Sequence, residues 1–293
     1  MEVQRILGMA ILLYGLGYAL CLCIQAWKKK EAMREEKGAF WKISLCEAIV
    51  YFFTTMGVPD FILNTLLFRK FSWVRDQYLP GTLVATAVFP SALIAFSYLR
   101  NGEPLGFATL FLCMAAIAAG SFAGVRVMTS LSGETIRKIM GIAMLLSMGA
   151  LVLKMVVSAG TVGTASSLTP WQLGIALPVV FFLGFINMFG VPMKPPAIAL
   201  FLLLGMSPMS TLTLMLVLGV ISPMVGGIRV VRSGMYQQKI ALSGISFGLL
   251  GALLGTAFTV TLDATALGVI LLIIMALTAV SMLRPPKQDT VQE

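Results

Sequence analysis

A lysine stands inside an apolar segment that also carries three prolines and a glycine. The segment reads NMFGVPMKPPAIAL over residues 187–200, and its lysine is Lys194. In a membrane segment a lysine costs roughly 2.5–3.5 kcal/mol on insertion scales, so it is a candidate for function by default. Its ammonium group could bind an anion or pair with a carboxylate.

A second segment has the same Gly-Val-Pro interruption and carries an acid beside it. FFTTMGVPDFILN covers residues 52–64, and Gly57 lies 133 residues before Gly190. Asp60 could form a pair with Lys194 that an anion or a proton disrupts, or it could be the protonatable coupling site. Two structural alternatives stay open: Lys194 could extend to the membrane interface, and Asp60 could cap the helix that begins there.

The prolines predict that a new half-helix begins at each break. Proline is tolerated at the first helical position and disrupts a helix interior. We therefore expect half-helices around residues 60–68 and 196–206. A helix start has unpaired N–H groups and a partial positive charge, and an anion satisfies both.

Small, amide and hydroxyl residues near the breaks would complete such a site, since oxyanions need hydrogen-bond donors. The predicted substrate-binding residues are Lys194, Gly57, Pro59, Gly190, Pro192, Asn187, Asn64, Thr82, Thr86 and Ser222. Asp60 and Glu47 are the candidates for coupling or protonation. Glu47 lies near the start of its segment, so an interfacial position is the alternative for it.

The composition indicates the element that must position these residues. Of 293 residues, 58% are hydrophobic and 11% charged, with a mean hydropathy of +0.95. Apolar runs of about 20 residues recur, which is the length that a membrane helix needs. The chain is therefore predicted to be an all-α polytopic membrane protein. The run 5–27, followed by Lys28, Lys29 and Lys30, predicts a retained N-terminal membrane helix.

The residue types argue against an enzyme. Histidine is absent and the four cysteines form no C-x-x-C pair, which removes the common metal motifs and a Ser-His-Asp triad. We expect no cofactor, no metal and no catalytic residue. The net charge of +9 follows from basic cytoplasmic loops, so nucleic acid is not an expected partner.

Landmarks recur with an offset of about 130 residues. Pro90 and Pro223 are 133 apart, and the pair Gly120/Gly124 is matched by Gly251/Gly255 at an offset of 131. Small residues at this spacing let membrane helices approach closely, so the glycine pairs are predicted packing positions. The chain is expected to be a duplicated unit preceded by one extra helix.

Each copy is predicted to be a broken, re-entrant hairpin followed by three transmembrane helices. The broken runs cover 43–68 and 171–206; the full spans cover 78–99, 105–131, 138–157, 210–232, 240–262 and 264–283. The resulting divisions are 1–42 (helix and basic loop), 43–157 (repeat 1), 158–170 (extracellular linker), 171–284 (repeat 2) and 285–293 (tail).

The distribution of basic residues favours a hairpin over a single crossing. A hairpin places Arg69, Lys70, Arg75, Arg137 and Lys138 in the cytoplasm with the basic loop 28–42. Two full crossings would give the same sidedness. Because each repeat then crosses an odd number of times, the second copy is expected to be inverted, as in secondary transporters.

Several stretches resemble the TauE/SafE sulfite exporter family, also described as four-toluene-sulfonate uptake permeases. They are the Gly-x-Pro breaks, LPGTL at 79–83, LLLGMSP at 202–208, IRVVRSGMYQQKIAL at 228–242 and GALLG at 251–255. The resemblance covers about residues 43–283. It implies a plasma-membrane secondary transporter of small, often sulfur-containing anions. The breaks GVPD and GVPMK depart from the glycine-rich form common in the family, so anion transport is better supported than sulfite.

The hypothesis is therefore a multi-pass plasma-membrane transporter that moves sulfite, a sulfonate or a related organic anion by alternating access. The N-terminus is predicted outside and the C-terminus in the cytoplasm. Expected partners are the anion, the lipid bilayer and a coupling proton or sodium ion; a homodimer stays open. The alternatives are a transporter of a cation or neutral solute, and a membrane scaffold without transport.

Overall fold

A computed structural model describes residues 2–157, 163–257 and 280 of the chain. The first half contains α1 (Glu2–Lys28), α2 (Lys30–Glu35), α3 (Phe40–Thr54), α4 (Asp60–Lys70), α5 (Leu79–Asn101), α6 (Phe107–Met128) and α7 (Gly133–Val157). The second half contains α8 (Pro170–Asn187), α9 (Lys194–Leu203), α10 (Pro208–Ser233), α11 (Gln238–Ser243), a π-helical turn (Gly244–Gly248) and α12 (Leu249–Ala257). The predicted span 264–283 lies outside the described residues, apart from residue 280.

The described part of the chain is helical, as its composition predicts. Within residues 2–157 and 163–257, six helices are long and apolar enough to cross a membrane: Glu2–Lys28, Leu79–Asn101, Phe107–Met128, Pro170–Asn187, Pro208–Ser233 and Gln238–Ala257. The last comprises α11, the π turn and α12. The structure thus confirms an all-α polytopic architecture. The predicted span 138–157 falls within α7.

Each broken run folds back, so that its two ends lie together. In the second run, the Gln172 amide near the start of α8 donates a hydrogen bond to the Leu204 carbonyl just after α9 (2.9 Å). In the first run, Gly38 before α3 lies against the ring of Trp73 after α4. With 11 and 10 residues, α4 and α9 are each roughly 15 Å long, about half of a bilayer core. The length of α8 differs from the predicted hairpin of two half-helices, because α8 alone is long enough to span the membrane.

The connections between helices form two layers of loops. The first loop layer consists of residues 28–40, 70–79, 128–133 and 233–238. It is held together by the Glu36 carboxylate, which accepts hydrogen bonds from the backbone N–H groups of Gln238 and Lys239 (2.8 and 2.7 Å). Gly133 also lies against Gln77. The ends of the α3/α4 hairpin lie in this layer.

The second loop layer consists of residues 101–107, 163–170 and 203–208. The Glu103 carboxylate accepts hydrogen bonds from the Ser207 and Ser210 hydroxyls (2.7 and 2.8 Å). The N–H of Ser207 donates to the Ala165 carbonyl (2.8 Å). The ends of the α8/α9 hairpin lie in this layer, whereas α5, α6 and α10 run between the two layers.

Packing partners correspond between the two halves. Helix α8 packs on α6 and α3 on α12, while α5 and α10 pack on each other at the centre. A Cβ on Gly120 of α6 would lie 1.9 Å from the Phe181 carbonyl oxygen of α8, and one on Gly251 would lie 2.0 Å from that of Ala48. Phe181 and Ala48 are themselves 133 residues apart. The glycine pairs are therefore close helix contacts, as predicted.

Candidate functional site

Both breaks have the same backbone form. Gly57 and Gly190 adopt φ angles of +90° and +83°, a region that favours glycine over residues with a Cβ. In each, the glycine N–H donates to the carbonyl three residues earlier, Thr54 and Asn187 respectively (3.0 Å in both). The Gly-Val-Pro sequence thus ends one helix with a turn. At the first break the extended Pro59 then leads into α4, whereas at the second Met193, in the right-handed helical region, precedes α9.

The half-helices begin with the two charged residues. Helix α4 begins at Asp60 and α9 at Lys194, two residues before the start expected for the latter. Pro195 and Pro196 fit into its first turn because the N–H groups there have no intrahelical partner. The N-cap residue of α4 is Pro59 and Asp60 is its first helical residue, so Asp60 is not the cap; its carboxylate accepts from Lys194 instead.

Lys194 and Asp60 meet across the two breaks. The Lys194 Nζ lies 2.6 Å from Asp60 Oδ1, and the two side chains are 8% and 5% exposed. The pair considered from the sequence is therefore present, and Lys194 does not extend to an interface. Removing either partner would leave a buried, unpaired charge, which is strongly destabilising.

The two helix starts offer different donors. At α4, the N–H groups of Asp60 and Phe61 precede the first intrahelical bonds and are available to a ligand. At α9, Pro195 and Pro196 have no N–H and the Ala197 N–H donates to the Met193 carbonyl (3.1 Å). The lysine therefore supplies positive charge at a helix start that has lost two donors, which departs from the expected amide-rich end.

A small cavity lies at this meeting point. Its lining is formed by Pro59, Asp60, Phe61, Asn187, Pro192, Met193, Lys194 and Gly219. Its volume is about 10 Å³, which is close to the room that one water molecule requires. Because Asp60 occupies the Lys194 ammonium group and little room is left beside the pair, an anion could bind there only after the pair has separated.

Five of the ten predicted substrate-binding residues line this cavity or lie next to it. Pro59, Asn187, Pro192 and Lys194 line it. Ser222 contacts a lining residue, because its hydroxyl accepts a hydrogen bond from the Asn187 amide (2.7 Å). It accepts another from the Ser121 hydroxyl (2.8 Å). This hydrogen-bond chain links α8, α10 and α6 and orients the Asn187 side chain.

The two predicted glycines, Gly57 and Gly190, shape the backbone and do not line the cavity. Gly190 lies against Met140 of α7 and Leu83 of α5, and Gly57 lies near Leu212 of α10. Their φ angles make the turns that bring Pro59 and Pro192 to the cavity wall.

Thr82 and Thr86 lie elsewhere, which corrects the expectation that they reach the cavity. Their hydroxyls donate to the carbonyls of Tyr78 and Thr82, four residues earlier (2.7 and 2.8 Å). Thr82 also accepts from the Gln237 N–H (3.0 Å), and Thr86 packs on Gly244 at the π turn. Both threonines serve the contact between α5 and the segment 237–244, near the first loop layer.

Glu47 and Asn64 form a second polar contact between α3 and α4. The Asn64 amide donates to Glu47 Oε2 (3.3 Å), and the exposed fractions of the two residues are 0% and 1%. Glu47 is therefore buried inside the first hairpin, and the interfacial alternative for it is wrong.

Three residues that line the cavity were not predicted from the sequence: Gly219, Phe61 and Met193. A Cβ on Gly219 would lie 3.4 Å from Lys194 Cε, so the absent side chain leaves room for the lysine. Pro223 also removes the N–H that would bind the Gly219 carbonyl in α10. Gly219 precedes Pro223 by four residues as Thr86 precedes Pro90, but Thr86 does not line the cavity, so the repeat alone could not have identified Gly219.

No group of three or more metal-ligating side chains occurs among the described residues.

Comparison with known proteins identifies one family. The model of the sulfite exporter TauE/SafE family matches residues 43–282, which include both hairpins and the whole cavity lining. Neither the curated proteins nor the solved structures gave a match.

Proposed function

The chain belongs to the sulfite exporter TauE/SafE family and is a multi-pass membrane transporter, and we propose that it carries small anions such as sulfite or sulfonates by alternating access. The observation that carries the proposal is the buried Lys194–Asp60 pair at the meeting point of two broken hairpins. Broken helices at membrane depth are tolerated where they line a cavity, and transporters bind their substrates there.

The chemistry of the cavity favours an anion. The cavity presents one positive charge, Lys194. It also presents hydrogen-bond donors, namely the N–H groups of Asp60 and Phe61 and the Asn187 amide. The Asp60 carboxylate accepts a hydrogen bond from Lys194, as an oxygen of a bound oxyanion would. A substrate with several oxygens would replace this carboxylate at the lysine and bind the amide donors with its remaining oxygens.

The packing suggests how access would alternate. The ends of the two hairpins lie in different loop layers, and each hairpin packs on a helix of the opposite half. We propose that the halves are inverted repeats that rock against each other around the ion pair. In the described state the cavity holds about 10 Å³, which is too little room for a sulfite or sulfonate ion, so substrate binding requires the halves to move apart.

The basic residues give the proposed orientation. The first loop layer and the adjoining helix ends contain Lys28, Lys29, Lys30, Arg34, Lys37, Lys42, Arg69, Lys70, Arg75, Arg137, Lys138, Arg232 and Lys239. Near the second loop layer, the described residues include Arg5 and Arg100. By the positive-inside rule the first layer is cytoplasmic, with the N-terminus outside. The plasma membrane is the proposed location.

A binding screen tests the substrate class. The purified protein would be heated with sulfite, methanesulfonate, thiosulfate, short carboxylates and, for comparison, cations and neutral sugars, at two pH values. A ligand that binds the folded state raises the unfolding temperature, because at a concentration of 100 times its Kd it adds about 2.7 kcal/mol to the free energy of unfolding. We expect stabilisation by the sulfur oxyanions. Stabilisation by cations or sugars alone, or by none of the panel, would contradict the proposal.

A further inference from the structure

A buried carboxyl lies in the same hairpin as Asp60 and, among the described residues, has no cation to balance it. Among the described residues, the buried charged side chains are Glu47, Asp60 and Lys194. Lys194 pairs with Asp60 at 2.6 Å. In the described part of the chain, the Asn64 amide, which is neutral, is the one hydrogen-bond partner of Glu47.

The charged groups around Glu47 do not supply the missing cation. On α4, Asp60 lies one helical turn before Asn64, the residue that contacts Glu47, and it has the same charge as Glu47. Arg69 forms a salt bridge with Asp76 (2.8 Å), and Lys70 is the last residue of the helix. On α11, Lys239 binds at Glu36 and Gly38 in the first loop layer. The π turn and α12, which also pack on α3, contain no charged residue.

Two oxygen atoms in the Glu47–Asn64 contact are unsatisfied. Glu47 Oε2 accepts from the Asn64 amide nitrogen, but Glu47 Oε1 and Asn64 Oδ1 are buried and have no hydrogen-bond partner among the described residues. Both are acceptors when the acid is ionised, so they cannot bond to each other. Buried polar atoms of this kind normally have partners.

We propose that Glu47 is the proton-binding site of the transport cycle and that Asp60 couples it to the anion. A proton taken up from water would form an O–H bond at Glu47 Oε1, and this group can donate to Asn64 Oδ1. The acid and the amide would then share two hydrogen bonds, which satisfy both orphaned oxygens and remove the unbalanced charge. A metal cation suits this contact less well, since it requires converging oxygens and the amide directs a donor at Oε2.

The coupling follows from charge repulsion, and it rests on the proposed anion transport. When an anion replaces Asp60 at Lys194, the Asp60 carboxylate loses its cation and lies near the Glu47 carboxylate. A proton at Glu47 relieves that repulsion, so the anion and the proton each favour binding of the other. They would cross the membrane together, and their combined gradients would set the direction.

The test uses methanesulfonate, which stays ionised between pH 5 and 8, so that any pH dependence belongs to the protein. Binding to the purified full chain is measured by calorimetry across this range. We expect wild-type binding to weaken by up to about tenfold per pH unit where one coupled proton is lost. In Glu47→Gln the dependence should fall below about twofold over the whole range, because the glutamine amide mimics the acid and can still pair with Asn64.

Controls separate the possible failures. Glu134→Gln removes an exposed carboxylate that pairs with Lys138 on the surface, and it should retain the wild-type pH dependence. Asn64→Leu supplies a second variant, which should shift the pH at which binding weakens. A wild-type pH dependence in Glu47→Gln would overturn the proposal, as would wild-type binding that requires sodium. If wild type binds methanesulfonate with no pH dependence, coupling fails and anion binding stands; if it binds no anion, the proposed function itself fails.

Discussion

At the scale of the residue, the Lys194–Asp60 ion pair joins the two halves. Sequence reasoning could place Asp60 and Lys194 at matching breaks, because Gly-Val-Pro precedes each of them at a constant offset. It could not decide between pairing, capping and snorkelling, since these depend on how deep each break lies. It also misplaced Thr82 and Thr86, whose facing neighbours are set by the packing of α5 on the segment 237–244.

The ion pair should affect stability in a non-additive manner. Lys194→Met leaves the Asp60 carboxylate buried and unpaired, which we expect to cost about 3–5 kcal/mol of unfolding free energy. The double variant Lys194→Met/Asp60→Asn has no unpaired charge and should recover most of that loss. Thermal unfolding in detergent measures both. Equal loss in the single and double variants would show that the pair is not what holds the breaks together.

Gly219 should control the space beside the lysine. Gly219→Val places methyl groups against Lys194 Cε, to which a Cβ alone would already be 3.4 Å. We expect the rate for a bulky sulfonate to fall by about tenfold or more relative to sulfite, a usual effect of a methyl-sized change in a pocket. Flux in proteoliposomes measures this ratio. Gly174→Val is the matched control, since nothing lies within 4 Å of its Cβ position; an unchanged ratio in Gly219→Val would contradict the assigned role.

At the scale of the element, the hairpins depend on breaks and on close glycine contacts. The breaks could be predicted because proline and glycine interrupt helices for local steric reasons. The start of α9 could not be placed to the residue, because its first turn accepts either proline. That Gly120 and Gly251 contact the first arms of opposite hairpins follows only from the fold, since sequence spacing does not identify a partner helix.

The close contact at Gly120 should tolerate no side chain. Gly120→Ala would put a Cβ 1.9 Å from the Phe181 carbonyl oxygen, so α6 and α8 must separate. We expect a loss of about 1–3 kcal/mol, the usual cost of overpacking. Gly17→Ala in α1, where nothing lies within 4 Å, should leave the unfolding temperature equal or slightly higher. The same melting curve for both variants would contradict the packing.

At the scale of the whole molecule, the duplicated pattern and the basic residues could be read from the sequence. They predicted two folded-back segments, which the structure shows. Composition predicted the helical membrane architecture, and the resemblance of several motifs indicated the family; the structure and the family comparison confirm both. The small volume of the cavity was not predictable, because it depends on the relative position of two hairpins that are far apart in the chain.

The proposed orientation predicts which loop layer faces outward. In a variant whose four cysteines are replaced by serine, one cysteine would be introduced at Thr164 in the second layer or at Ser130 in the first, both exposed positions. An impermeant thiol reagent applied to intact cells should label the Thr164→Cys protein and reach Ser130→Cys only after permeabilisation. The reverse pattern would invert the orientation.

The most direct test of the central claim is sulfite flux through the double variant Lys194→Met/Asp60→Asn in proteoliposomes, beside wild type and the surface control Lys138→Ala. The double variant lacks the proposed anion ligand and leaves no unpaired buried charge, so it should remain folded. We predict wild-type flux in Lys138→Ala and, in the folded double variant, a rate no higher than that of empty liposomes. Wild-type flux in the double variant would contradict the assignment of the anion site to the two breaks.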